Sequence, residues 1–143
     1  MVPRTTARSN RNRNFNFKPD ANESDDHRRA KEKLRKICMT NGMDAGTEFP
    51  VATEYKTYYC DVLAAIRFFG SVLNLDLEVE DHDHSKHDFD DAENKTKELR
   101  RYFIKTIWFK SVDILHKLSE TEILAKILCE MIDGRETNPR MNI

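Results

Sequence analysis

The residues best suited to chemistry lie in one short stretch, Asp81-His82-Asp83-His84-Ser85-Lys86-His87-Asp88-Phe89-Asp90-Asp91. Imidazole nitrogen and carboxylate oxygen are the donors that zinc and related transition metals take. In an extended chain His82 and His84 face the same way, and a turn brings His87 round to them, so these three would be the ligands of a metal-dependent site. Metal-dependent hydrolases, however, gather ligands from several elements, and the other histidines here are His27 and His116. A site built from one flexible loop holds a metal weakly and does not enclose the water it must activate. The stretch reads first as a solvated loop between helices, with no metal and no cofactor expected.

Nothing else in the chain has the form of a catalytic motif. Four glycines, none clustered, make no phosphate cradle. Serine, cysteine and histidine form no nucleophile signature. Cys38, Cys60 and Cys129 sit in apolar patterns without the spacing of a metal knuckle, and read as small core residues of a reduced compartment. The chain is expected not to be an enzyme.

Binding is better supported. Residues 1–18 carry Arg4, Arg8, Arg11, Arg13 and Lys18 and no acid, although the net charge of the chain is −1. Such asymmetry points to partners rather than to fold. Residues 1–22 have too few apolar side chains to offset the entropy of ordering, and read as a disordered basic arm. Within it, Arg11, Arg13, Phe15 and Phe17 alternate base and ring, a pattern suited to adding a strand to a partner's sheet or to stacking on bases. The arm also fits a mitochondrial presequence in lacking acids, but has no leucine face.

Several elements must position these residues. Ser24 caps a charged amphipathic helix over 24–41, with Asp25 and Asp26 at its positive end and Asn41-Gly42 as its stop. Arg28, Arg29 and Arg35 lie outside its apolar stripe. After a linker at 40–52, the spacing of Tyr55, Tyr59, Val62, Ile66, Phe69 and Leu73 predicts a second helix capped by Thr53, with Gly70 at a bend or a close approach. Leu73, Leu75, Leu77 and Val79 alternate with polar residues as a strand does, yet no partner strand is visible. A third helix runs from about Asp91 to Leu118, its broad arc of Leu99, Phe103, Ile107, Ile114 and Leu118 widened by Trp108, which is expected buried between helices. Ser119 and Glu122 open a fourth helix as a capping box, with Gly134 as its end. Tyr102 and Phe109 lie on the third helix away from that arc, among Arg101 and Lys105, as aromatics at binding surfaces do.

The fold class these signals predict is all-α: a small three- to four-helix domain at 52–134, the 24–41 helix docked loosely beside it, a disordered basic N-terminal arm and a flexible tail at 135–143. No apolar run is long enough to cross a membrane, so no membrane is expected. The leading functional expectation is a non-catalytic adaptor in a nuclear or cytoplasmic multi-protein complex, binding a protein partner through Arg11, Arg13, Phe15, Phe17, Tyr102 and Phe109. Its alternatives are RNA or DNA binding through Arg4, Arg8, Arg11, Arg13, Arg28, Arg29 and Arg35, and a metal-dependent protein using His82, His84 and His87.

Overall fold

The computed structural model describes residues 23–80 and 86–132. The basic arm at 1–22, the tail from 133 onward, and with them Arg4, Arg8, Arg11, Arg13, Phe15 and Phe17, lie outside the described residues, as do His82 and His84.

The element order is α1 (Asp25–Thr40), β1 (Asp44–Ala52), β2 (Thr57–Phe68), β3 (Ser71–Glu80), α2 (Lys86–Arg101), β4 (Ile104–Lys110), a π-helical turn (Asp113–Lys117) and α3 (Glu120–Ile132). The four strands form one sheet in the order β1-β2-β3-β4. The first three pair antiparallel, and β4 returns through α2 to pair parallel with β3. The protein is therefore an α/β fold, and the all-α expectation is corrected.

Both ends of α1 and the start of α3 form as the sequence reads them. Ser24 Oγ accepts the His27 amide at 3.0 Å. At the other end Gly42, at φ +88°, is followed by Met43, whose amide returns to the Cys38 carbonyl while Gly42's amide reaches Met39, which closes the open carbonyls of the last turn. Ser119 and Glu122 exchange side-chain and backbone hydrogen bonds at 2.8 and 3.1 Å, a complete capping box on α3. Helix α1 is not loosely docked. Ala30, Leu34, Ile37 and Cys38 are buried against Val62, Ala64, Leu75, Leu77, Val79, Ile107 and Phe109 of the sheet, and Ile114, Ile123 and Ile127 complete that core.

The strands explain why helical periodicity misleads. The sheet is covered on both faces, by α1, the π turn and α3 on one side and by α2 on the other. Strands buried on both faces carry near-continuous apolar runs that fit a helical arc as well as a strand. The expected second helix is the β1–β2 turn and strand β2, and Thr53, expected to cap it, instead closes that turn through Lys56. Gly70, at φ +83° with open space around it, makes the β2–β3 turn. The expected third helix stops at Arg101. Phe103 adopts φ +63°, and the β-branched and aromatic run Ile104-Lys105-Thr106-Ile107-Trp108-Phe109 becomes β4. Ile107 and Phe109 join the α1–α3 core, and Ile104 joins a second cluster with Phe49, Val51, Cys60, Leu63 and Leu99 under α2. Trp108 is thus not wedged between helices. It stands half-buried on β4 on the α2 side, its indole Nε1 buried and unpaired among the described residues.

Strand β2 changes face once. Val62 and Ala64 point to the α1 core, whereas Cys60, an even number of residues away, belongs to the α2 cluster. The switch coincides with Glu48 at φ +49° on β1, opposite Asp61, where the β1–β2 register skips a rung. Each strand skips one residue, so the register is kept, and Phe49 on β1 changes face together with Cys60 on β2: the two strands twist together at this rung.

Because Leu77 is fully buried on the central strand β3, Leu77→Ala is expected to lower stability by about 2–5 kcal/mol. The half-exposed Val72 on the same strand, changed to Ala, should stay within about 0.5 kcal/mol. Chemical denaturation of both variants measures the difference.

Candidate functional site

Where β2 bends, its ladder with β3 ends. Val62 pairs with Leu77. One residue further, the Asp61 amide donates to Glu78 Oε2 at 3.3 Å and Asp61 Oδ2 accepts the Val79 amide at 2.8 Å. Two carboxylates thereby replace backbone groups and keep the strands apart. On β3, Leu75, Leu77 and Val79 face the α1 core, so Asp76 and Glu78 face α2. From α2, Lys95 Nζ donates to Glu78 Oε2 at 2.8 Å and to the Tyr59 carbonyl at 2.6 Å. From β4, Thr106 Oγ1 donates to Asp76 Oδ2 at 3.0 Å. Asp76 is wholly buried, and its Oδ1 has no hydrogen-bond partner among the described residues. Donor atoms of Cys60, Asp76 and Glu78 all lie within 4.8 Å of one another.

The charges in this wedge are mutually dependent. Burial, reinforced by the negative charge of Glu78, holds the Asp76 carboxyl well above the usual carboxylate range. Burial and Glu78 also raise Asp61, against the pull of His27 and Lys95. Glu78 goes the other way: burial opposes its ionisation, but Lys95 and hydrogen bonds from its neighbours outweigh that and lower it. Lys95 is desolvated too, yet the surrounding carboxylates raise it well above an ordinary lysine. The wedge therefore favours an ionised Glu78–Lys95 pair beside an Asp76 carboxyl that favours its proton.

Behind Asp61, on the α1 side, a second network fixes its position. His27 Nδ1 lies 2.7 Å from Glu23 Oε2, and Nε2 lies 2.9 Å from the Val79 carbonyl and 3.5 Å from Asp61 Oδ2. Acceptors at both nitrogens require the imidazolium. Although burial opposes the charge, Asp61 and Glu23 push the His27 pKa up to about 9. Lys31, almost fully buried, bridges Glu23 at 2.5 Å and Glu48 on β1.

Carboxylate oxygens are the donors of hard divalent cations such as magnesium and manganese, which keep several waters and take the rest of their shell from substrate. Asp76 and Glu78, with Asp61 beside them, fit that demand. The Cys60 thiol is held protonated, far above its normal range, by burial and the adjacent carboxylates, so a hard cation would take the oxygens in preference to the sulfur. Lys95 Nζ adds an ammonium to the same cluster. Two carboxylates and an ammonium are groups that can hold a hard cation and offset negative charge.

The residues singled out in the sequence lie elsewhere. His87 is in the first turn of α2. Arg28, Arg29 and Arg35 pair along α1 with Asp25, Asp26 and Glu32. Phe109 is buried in the α1–α3 core with Lys126 Nζ 5.4 Å from its ring centre, while Tyr102 packs in the α2 cluster and accepts the Glu54 amide at 2.9 Å, so the two do not share a surface. Cys38 and Cys60 are buried as expected, and burial lifts the Cys38 thiol to about 12, but Cys129 is exposed. Sequence reasoning passed over Asp61, Asp76, Glu78 and Lys95. The one available signal was the alternation of Asp76 and Glu78 with leucines, which reads as a solvated strand face unless a helix is known to cover it.

No family model and no curated protein matches the chain. Among solved structures it is similar to a protein of unknown function, AF1548, at 12% identity and a TM-score of 0.44 over 60% of this chain, which spans about half (47%) of that chain.

Two expectations follow from the charges. Between pH 3.8 and its raised folded value, Asp76 keeps a proton in the folded chain that the unfolded chain has lost, so stability falls as pH rises through that window. Asp76→Asn removes this penalty: it should stabilise the fold by roughly 1–3 kcal/mol at pH 7, with the gain vanishing below about pH 4. His27 acts over a different range. Its raised value contributes stability that is complete below pH 6.5 and lost as pH climbs to about 9, up to about 3 kcal/mol at roughly 1.4 kcal/mol per unit. Denaturant titrations across pH should show His27→Ala without that loss.

Proposed function

We propose that this protein is a divalent-cation-dependent phosphodiester hydrolase acting on nucleic acid. The observation that carries the reading is the buried Asp76 carboxyl, with one oxygen unpaired, set against Glu78 and within the field of Lys95. A buried, like-charged carboxyl pair costs stability, and protons or metal ions are what relieve it. A structural role would be met by an apolar side chain in its place.

In this reading Asp76 and Glu78 would hold the cation, which would act as a Lewis acid toward a phosphodiester and make a bound water more acidic. In the hydrolysis overall, the hydroxyl of the water joins phosphorus, the bond from phosphorus to the leaving oxygen breaks, and the proton given up by the water ends on the leaving oxygen, which departs as an alcohol. Lys95 would orient the water and offset the negative charge that develops on the phosphate. The substrate class follows from the donors: two carboxylates and an ammonium suit an anionic phosphodiester held with a hard metal, whereas peptide-bond cleavage by a softer zinc centre would call for imidazoles. This departs from the expectation of a non-catalytic adaptor and joins the nucleic-acid and metal alternatives through different residues.

Purified protein with fluorescent DNA and RNA substrates is expected to cleave in the presence of manganese or magnesium and not with chelator. Asp76→Asn and Glu78→Gln should each lower cleavage at least about 100-fold while remaining folded, and Lys95→Ala should lower the maximal rate more than it raises KM, by roughly 10–1000-fold as for loss of one transition-state donor. Because metal binding must displace the Asp76 proton, manganese affinity should rise with pH. Folded wild-type protein that binds no manganese in calorimetry and cuts no substrate would overturn the proposal.

A further inference from the structure

The hydrolase reading uses two carboxylates of the wedge and leaves a third donor idle. Cys60, on β2 across the opening from Asp76 and Glu78 of β3, is wholly buried, and its sulfur and one oxygen from each carboxylate all lie within 4.8 Å of one another. Among the described residues this is the one group of three such donors. Asp76 is wholly buried too. Its Oδ2 accepts from Thr106, and its Oδ1 has no hydrogen-bond partner among the described residues. A polar atom left unpaired so deep in a protein is costly, and an ion coordinated there satisfies it. Glu78, at 7% exposure, is the member of the three that still reaches solvent, and it gives an ion its way in.

We propose that Cys60, Asp76 and Glu78 together bind a thiophilic divalent ion of the zinc and cadmium class, which takes the place of the hard ion and so inhibits the hydrolase. The inference rests on the reading of Asp76 and Glu78 as a cation site and adds its regulation. Thiolate sulfur selects the softer ions over magnesium and manganese, which oxygen holds. Zinc takes sulfur at about 2.3 Å and carboxylate oxygen at about 2.0–2.2 Å, so the donors of one tetrahedral shell stand about 3.5 Å apart. Rotation about the side-chain bonds of Asp76 and Glu78 can close the observed spread to that distance. Coordination replaces the S–H bond of Cys60 and the O–H bond of Asp76 with bonds to the ion, and both protons pass to solvent. Three anionic donors outweigh a dication by one charge, and the Lys95 ammonium, 2.8 Å from Glu78 Oε2, makes up the difference. Thr106 on Asp76 and the Asp61 amide on Glu78 orient the ligands, as outer partners do around metal sites.

The test titrates the full chain, stripped of metal by chelator and dialysed, with cadmium alone, and follows the ultraviolet charge-transfer band of a sulfur–cadmium bond. Imidazole from His82, His84 and His87 gives no such band. Because Cys129 is exposed, the protein titrated is the Cys129→Ser variant. It is expected to show the band, and Cys60→Ala on the same background to lose it. Asp76→Asn, the second arm should Cys60→Ala not fold, should weaken cadmium at least about 10-fold as judged by the band, which ties the sulfur to the wedge and not to Cys38. In calorimetry Cys60→Ala should weaken zinc at least about 10-fold and manganese by less than about 3-fold. A Cys129→Ser protein without the band overturns the proposal, as does a band that Cys60→Ala or Asp76→Asn leaves unchanged. Zinc at saturating concentration that leaves manganese-dependent cleavage untouched overturns it as well. Cleavage with manganese alone is scored separately: a missing band beside intact cleavage sinks the zinc-class site, whereas a band lost in Cys60→Ala beside absent cleavage upholds that site and counts against the hydrolase.

Discussion

Beyond the Val62–Leu77 rung, the Asp61 amide turns to the side chain of Glu78 instead of the backbone of β3, and the Asp61 carboxylate takes the Val79 amide in return. This exchange gives the Asp61 and Val79 amides acceptors where the strands part. It coincides with the break in the β1–β2 ladder at Glu48 and Asp61, where Glu48 adopts φ +49° and the register is kept. Once β2 has bent, Cys60 and Leu63 both pack under α2, the outer part of the β1–β2 hairpin reaches across to Tyr102, and Lys95 finds the Tyr59 carbonyl. The second hydrophobic cluster and the charged wedge have one cause.

The cost of that geometry is electrostatic. Asp61, Asp76 and Glu78 share a space that water barely enters, and Lys95 and His27 are the cations set against them. Two cations cannot balance three ionised carboxylates, and the deficit falls on the most buried of the three, Asp76, which keeps its proton. A well-packed leucine at that position would serve the fold better. Local rules broken where the rest of the sequence obeys them mark sites held for function.

How much of this the sequence reveals depends on the range of the interaction. Helix caps are local, so Ser24, Gly42 and the Ser119–Glu122 pair could be read directly. The alternation of β3 was also visible, but its neighbours were not: β2 and β4 are apolar on both faces, and Val62-Leu63-Ala64-Ala65-Ile66 fits a helical stripe as well as a covered strand. Read as helices, those segments leave β3 without a partner and its acids without a reason to be buried. The wedge was illegible for the same reason. Asp61, Asp76 and Lys95 come from three elements that only the sheet register brings together, whereas His82, His84 and His87 attracted notice merely by being adjacent.

The two helical layers act on the wedge in opposite senses, and Asp61 is where they meet. From α1, the imidazolium of His27 is pinned by Glu23, itself tied to Lys31 and through it to Glu48, so Glu48 on β1 and the first turn of α1 form one bracket behind Asp61. From α2, a single ammonium holds Glu78 at the front. The rear bracket contains two acids and two bases, all partly or fully buried, and so has little to gain from a further cation. The front has one base for Asp76 and Glu78 and does. On the proposed reading a divalent ion would enter on the α2 side, where it could displace the Asp76 proton and contend with Lys95 for Glu78 without loosening the bracket behind Asp61. The strand itself divides the balanced charge on one face from the unbalanced charge on the other.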